Sequence, residues 1–218
     1  AFVPVALITL QPDLGTASLF VPALFAMLVA AGAKLKHLTL IVLLAATAAP
    51  LSYPLLKSHQ QRRIQGLVQQ FRGDSSGDQD INFQAMTAQT LIGAGQVSGV
   101  SETKARALIH YNRLPERHND MIYAVLVNRY GLTGAAVLLG LYLLWITGAL
   151  LTAAATREPV GRLLIVGITA FIAAQVVVNI GMNVGLLPII GITLPFVSYG
   201  GSSLVTVWLM AGLIVNVS

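Results

Sequence analysis

The chain has 218 residues, 56% of them hydrophobic and only 10% charged, with a mean hydropathy of +0.76. Thirteen Lys and Arg against eight Asp and Glu leave a net charge of +5; a soluble domain carries about a quarter of its residues as charges, so this is the composition of a membrane protein. There are no cysteines, which excludes disulfides, thiol catalysis and cysteine metal sites. With no repeat, Gly-rich phosphate loop or nucleic-acid motif in the chain, the basic pI of about 9.8 points to a membrane surface or an anionic lipid and not to nucleic acid.

The opening AFVPVALITLQPD lacks an initiator Met and is about half a membrane crossing long. It reads as the end of a helix over 1–11 in a fragment of a longer chain, followed by a tight turn at QPDLG. Four intervals hold no Asp, Glu, Lys or Arg: 14–33, 38–56, 130–156 and 163–218. Each is long enough for a hydrocarbon core of about 30 Å, which takes roughly 20 helical residues. The last is broken by LLPIIGITLPFVSYGGSS and divides into two. Lipid offers no partner to a free N–H or C=O, so these segments are expected to be helices and not open strands. The predicted fold is all-α: one polytopic transmembrane bundle over 1–218, with about five complete spans plus part of one. They fall near 14–33, 38–56, 119–152, 162–186 and 197–217, and Pro50 and Pro54 kink the second.

Residues 57–118 form a polar loop of net charge +3, from eight basic and five acidic residues. Within it GDSSGDQD reads as a flexible turn, and INFQAMTAQTLIGAG as a short amphipathic helix lying on the bilayer or packed between spans. The short loops AKLKH (Lys34, Lys36) and TREPVGR (Arg157, Arg162) fall on one side of the membrane. The positive-inside rule makes that side cytoplasmic and the 57–118 loop extracytoplasmic.

Three constellations carry chemistry. In RLPERHNDMIYAV, Pro115 favours an extended Leu114, and Asn119 is a candidate N-cap for a helix running from Asp120 into the membrane. Asp120 then either complements the helix dipole or serves as a general base or cation ligand at the lipid boundary, where a carboxylate is costly. Glu116, His118 and Asp120 share a face for a metal only if that stretch is extended. In LPFVSYGGSS a bent backbone at Gly200 and Gly201, then Ser202 and Ser203, feeds a helix N-terminus whose N–H groups either hold an anion or are merely capped. Arg62 and Arg63 beyond the second span are snorkelling anchors or a pyrophosphate clamp. Asn179 and Asn183, one helical turn apart, read as hydrogen-bond glue between helices.

QPDLGTA, LPERHNDMIYAV, and NIGM followed by GLLPIIGITLPFVSYGGSS, in this order, resemble the SEDS family of RodA, FtsW and SpoVE. The resemblance runs over the whole chain, from the end of a fifth helix through a tenth. It implies a multi-pass protein of the bacterial plasma membrane that acts in cell-shape maintenance or division as a peptidoglycan glycosyltransferase. Such a protein polymerises lipid II, a disaccharide-pentapeptide on undecaprenyl pyrophosphate, beside a class B penicillin-binding protein and among membrane lipids. The family's essential aspartate falls on Asp120. Arg63 then matches an arginine suited to a departing pyrophosphate. Glu116, Arg117, His118, Ser198, Tyr199, Gly200, Gly201, Ser202 and Ser203 are the expected substrate contacts. No cofactor is assigned and no residue is assigned to a metal; a divalent cation, Mg or Mn, remains an option. Where the family usually has Gly or Ala and then two acids after AVL, this chain has Val127, Asn128 and Arg129. That substitution motivates one alternative, an inactive scaffold for the transpeptidase; the other is a flippase for lipid-linked precursors.

Overall fold

The computed structural model describes residues 14–55, 58–72, 79–111 and 118–217. Over those residues it is helical: α1 Leu14–Ala30, α2 Leu35–Ser52, a 3-10 turn at Tyr53–Leu55, α3 Ser58–Arg72, α4 Gln79–Gly95, α5 Glu102–Tyr111, α6 Ile122–Ala155, α7 Pro159–Asn183 and α8 Gly201–Val217. The helix expected at 1–11, the first residues of the QPDLG turn and most of GDSSGDQD lie outside the described residues.

Helices α6 and α7 are long and apolar enough to cross a membrane; α1, α2 and α8 are apolar but shorter. α7 is the hub, packing along α1, α6 and α8. Ile165, Ile168 and Ile172 of α7 meet Ala149 and Ala153 of α6 and Val207 and Ile214 of α8 in one apolar cluster. Small residues on α6 let the two long helices approach closely, the usual means of association where lipid is as apolar as the side chains. α2 is different: Leu40, Leu43 and Leu44 all stay more than half exposed.

Two spans end earlier than their apolar composition suggests, and glycine is the reason. Gly32 has φ +80, its N–H bonds to the Val29 carbonyl, and the Ala33 N–H reaches back to Leu28. Gly185 has φ +81 and repeats the pattern, with its N–H on Met182 and the Leu186 N–H on Gly181. This is the Schellman closure, which a residue without Cβ adopts at no steric cost. It stops α1 at Ala30 and α7 at Asn183, while Pro159 in the first turn of α7 fits the missing N–H there.

Among its described residues the 57–118 segment holds three helices rather than one. α4 covers the expected amphipathic stretch and packs on α6: Ala88 and Leu91 are fully buried with Met121 and Ala124. That selects packing between helices over lying on the bilayer.

α6 is two segments joined at Gly131 (φ 67, ψ −164), a conformation essentially restricted to glycine. The part from Leu132 to Ala155, at about 1.5 Å per residue, is by itself long enough for a bilayer of about 30 Å. The break frees backbone groups that the 96–100 loop takes up. The Leu132 and Thr133 N–H groups donate to the carbonyls of Gln96 (2.9 Å) and Val97 (3.1 Å), and the Val100 N–H donates to the Asn128 carbonyl (3.1 Å). The loop thus substitutes for the missing turn of helix.

Asn128 and Arg129 fasten the same junction. Asn128 is fully buried and its Nδ2 donates to the Leu91 carbonyl at 2.8 Å; Arg129 Nη1 donates to the Val100 carbonyl at 2.7 Å. An Asn128→Asp substitution removes the donor and sets a carboxylate against a carbonyl. Its expected cost is about 1–3 kcal/mol or more, read as a lower melting temperature in detergent.

Candidate active site at the start of α6

Residues 118–121 form a turn, and α6 begins at Ile122 with Met121 as its N-cap (φ −99, ψ 16) and no side-chain hydrogen bond at the cap. Asp120 therefore stands before the helix, not in its first turn, and Asn119 does not cap it. The cause lies 59 and 63 residues away. In a continued helix the Ala124 N–H would bond to the Asp120 carbonyl. Instead the Asn183 side chain inserts between them: its Oδ1 accepts the Ala124 N–H (3.3 Å) and its Nδ2 donates to the Asp120 carbonyl (2.9 Å). α6 is thus capped by α7, and one of its orphan donors is satisfied across the helix interface.

Asn179, one turn earlier on α7, sends its Nδ2 to the same Asp120 carbonyl (2.9 Å) and to the Ile192 carbonyl (2.6 Å). Asn183 Nδ2 also reaches the Asn179 carbonyl at 2.8 Å, and both asparagines are fully buried. The sequence reading of this pair as hydrogen-bond glue holds, and its target is the turn that carries the aspartate.

The 184–200 segment closes the other side. A Cβ built on Gly191 would lie 3.3 Å from Asp120 Oδ2, so the carboxylate faces the Gly191 backbone. Ser198 Oγ donates to the Asn119 carbonyl and accepts the Leu194 N–H, both at 2.7 Å, and the Tyr199 N–H donates to the His118 carbonyl at 2.8 Å. Phe196, at φ 63, is held in that unfavourable conformation by its ring, which lies 5.7 Å from Trp145 and 5.4 Å from Trp208. Asp120 is half-buried, while His118, Gly191 and Tyr199 (81% exposed) line an open side.

Of the expected site residues, Asp120, His118, Ser198 and Tyr199 come together here. Ser198 is 5% exposed with its hydroxyl engaged on both sides, so it builds the wall rather than facing outward. A Ser198→Ala change removes the acceptor of the buried Leu194 N–H and the tie to Asn119, and is expected to destabilise by about 1–3 kcal/mol, checked by thermal melting. Gly200, Gly201, Ser202 and Ser203 open α8; the Ser203 hydroxyl turns back to the Gly200 carbonyl (3.2 Å) and Ser202 is exposed. Arg63 lies in α3 with its side chain outside the described residues, as are Glu116 and Arg117. His118 and Asp120 sit in a turn rather than an extended strand, and among the described residues no three His, Asp or Glu converge as a metal site.

A carboxylate whose backbone is clamped by two buried amides thus stands at the mouth of a helix long and apolar enough to cross a membrane. The profile of the FtsW, RodA and SpoVE family, described as cell cycle protein, matches residues 1–218. The chain belongs to this family.

It is 35% identical over 217 residues to the peptidoglycan glycosyltransferase MrdB of Escherichia coli (strain K12), covering 97% of this chain and 55% of that protein. It is 32% identical over 212 residues to stage V sporulation protein E of Bacillus subtilis (strain 168), covering 97% and 56%. The chain thus spans about half the length of the curated relatives it matches. A chain solved in work on the structural coordination of polymerization and crosslinking by a peptidoglycan synthase complex aligns with a TM-score of 0.76 at 29% identity, over 98% of this chain and 57% of that one. A crystal structure of Thermus thermophilus rod shape determining protein RodA, carrying an aspartate-to-alanine substitution, aligns with a TM-score of 0.59 at 27% identity, over 98% and 51%.

Proposed function

We propose that this chain is the catalytic half of a peptidoglycan glycosyltransferase that polymerises lipid II in the bacterial plasma membrane. In this reading five complete helices cross the bilayer, the 57–118 segment is extracytoplasmic, and the protein works with a class B penicillin-binding protein. The observation that carries it is Asp120: the one carboxylate of the LPERHND segment that the described fold fixes by its backbone, at a helix mouth, facing Gly191.

The chemistry needs no enzyme nucleophile. The 4-hydroxyl of the acceptor sugar attacks the anomeric carbon of the donor; the new C–O bond forms as the bond to pyrophosphate breaks, with inversion. Asp120 takes the hydroxyl proton, help typically worth about 10² to 10⁴-fold. Arg63 offsets charge on the departing pyrophosphate, and Tyr199, His118, Arg117, Glu116, Gly200, Gly201, Ser202 and Ser203 are the remaining substrate contacts in this reading. A divalent cation, if used, would share the pyrophosphate charge with Arg63.

Two other readings are weighed by particular residues. The scaffold reading rested on Asn128 and Arg129, whose bonds to Leu91 and Val100 give both a structural role; their presence is no argument against chemistry. A flippase is favoured by Gln175, a buried amide within α7 whose Oε1 has no hydrogen-bond partner, since polar groups inside a span mark transport paths. Purified full-length protein with its partner, supplied with lipid II in vesicles, separates the readings. Glycan strands support the polymerase, whereas lipid II crossing the vesicle bilayer without strand formation supports the flippase.

A further inference from the structure

We infer that Asn179 and Asn183 are positioning residues for the Asp120 carboxylate and not merely bonds between helices. The inference rests on the reading of Asp120 as the base. Two amides on successive turns of one α7 face converge on a single carbonyl oxygen, each at 2.9 Å. Asn179 also bonds to Ile192, and Asn183 to Asn179 and Ala124, but the one acceptor outside α7 that the two amides share is the carbonyl of the residue that carries the carboxylate.

Asn183 does something more specific. By inserting between the Ala124 N–H and the Asp120 carbonyl it replaces the hydrogen bond that would wind Asp120 into α6. The residue is peeled out of the helix and its Oδ2 is delivered to Gly191. Asn179 fixes the opposite wall from the same α7 face, because its amide also holds the Ile192 carbonyl next to Gly191. Base and facing wall are therefore set by one rigid element, and their separation does not depend on the loop between them. Preorganisation of this kind is what a proton transfer requires, since a displacement of about 1 Å costs on the order of 100-fold in rate.

Loss of Asn183 has a built-in structural remedy. The Ala124 N–H can bond to the Asp120 carbonyl directly, which extends α6 back by one residue to Met121, makes Asp120 its N-cap, and shifts the carboxylate relative to Gly191.

The test uses the full-length protein with its transpeptidase partner and lipid II as substrate, comparing wild type, Asn183→Ala, Asn179→Ala and Asp120→Asn. Asn179→Ala leaves the cap on Ala124 in place and keeps the test decisive should Asn183→Ala fail to fold. The expected result for either asparagine variant is a kcat lower by about 10- to 100-fold per folded, partner-bound molecule, with KM for lipid II within about threefold of wild type. A kcat within twofold of wild type, or a fall in activity that matches the loss of folded protein, overturns the positioning role. If Asp120→Asn itself retains full activity, the reading of Asp120 fails instead, and the two failures are told apart by that one variant.

Discussion

Asp120→Asn is expected to abolish strand synthesis from lipid II while leaving the protein folded and bound to its partner. Asparagine keeps the size of the side chain, and the Asn179 and Asn183 bonds to this turn are made to the backbone carbonyl of residue 120. The substitution thus removes the proton acceptor and keeps both of those bonds. The loss expected from removing a general base is about 10² to 10⁴-fold in kcat, at the detection limit of most polymerisation assays. Asp120→Ala should behave the same way. Strand synthesis that survives both changes would reduce Asp120 to a charge at a helix start, worth about 0.3–1 kcal/mol to the fold, and would remove the proposed mechanism.

The largest expected effect on stability is at Gly131. Any Cβ there meets the Val97 carbonyl and the Gly99 nitrogen, and neither atom belongs to a side chain that can move aside. The backbone angles add a cost of about 1–3 kcal/mol for a residue other than glycine. Gly131→Ala should therefore separate the 96–100 loop from α6, breaking the hydrogen bonds from Leu132 and Thr133 to Gln96 and Val97 and the one from Val100 to Asn128. The expected outcome is loss of folded protein in detergent extracts, or a transition well below wild type in thermal melting. Near-normal melting would mean that α6 can straighten through this point without its loop. Gly140→Ala, farther along the same helix with open space where its Cβ would stand, is the control with a milder effect.

Much of this architecture was legible in the sequence because lipid imposes a simple rule on it. The charge-free runs at 130–156 and 163–218 mark α6, α7 and α8, and a chain with no water to bond must satisfy its backbone within helices. Asp120 stood out because it ends the cluster of ionisable groups in RLPERHND at the threshold of an apolar segment. What did not show was whatever depends on distant partners. Asn119 before Asp120 is a good local cap signal, yet the helix starts later because Asn183 intervenes from α7. The polar composition of 57–118 suggested a loop with one amphipathic helix, either on the bilayer or packed between spans; the apolar side chains of α4 that pack under Met121 and Ala124 are spaced too sparsely to choose between the two. Ser198 looked like a substrate contact because it sits among glycines and serines, and only its two bonds, to Asn119 and Leu194, show that it faces inward. In each case the local pattern named the right residues and a tertiary contact assigned their job.

The tie between the 118–121 turn and the segment before α8 sets an order of assembly. Asn119 meets Ser198 across 79 residues of chain, and His118 waits slightly longer for Tyr199. At about 5–20 residues per second on the ribosome, the aspartate emerges several seconds before the wall that completes its pocket. During that interval α6 can close on the 91–100 segment that precedes it, while the turn at 118–121 still lacks Asn179, Asn183 and Ser198, so its final geometry is set only when α7 and the segment after it are in place.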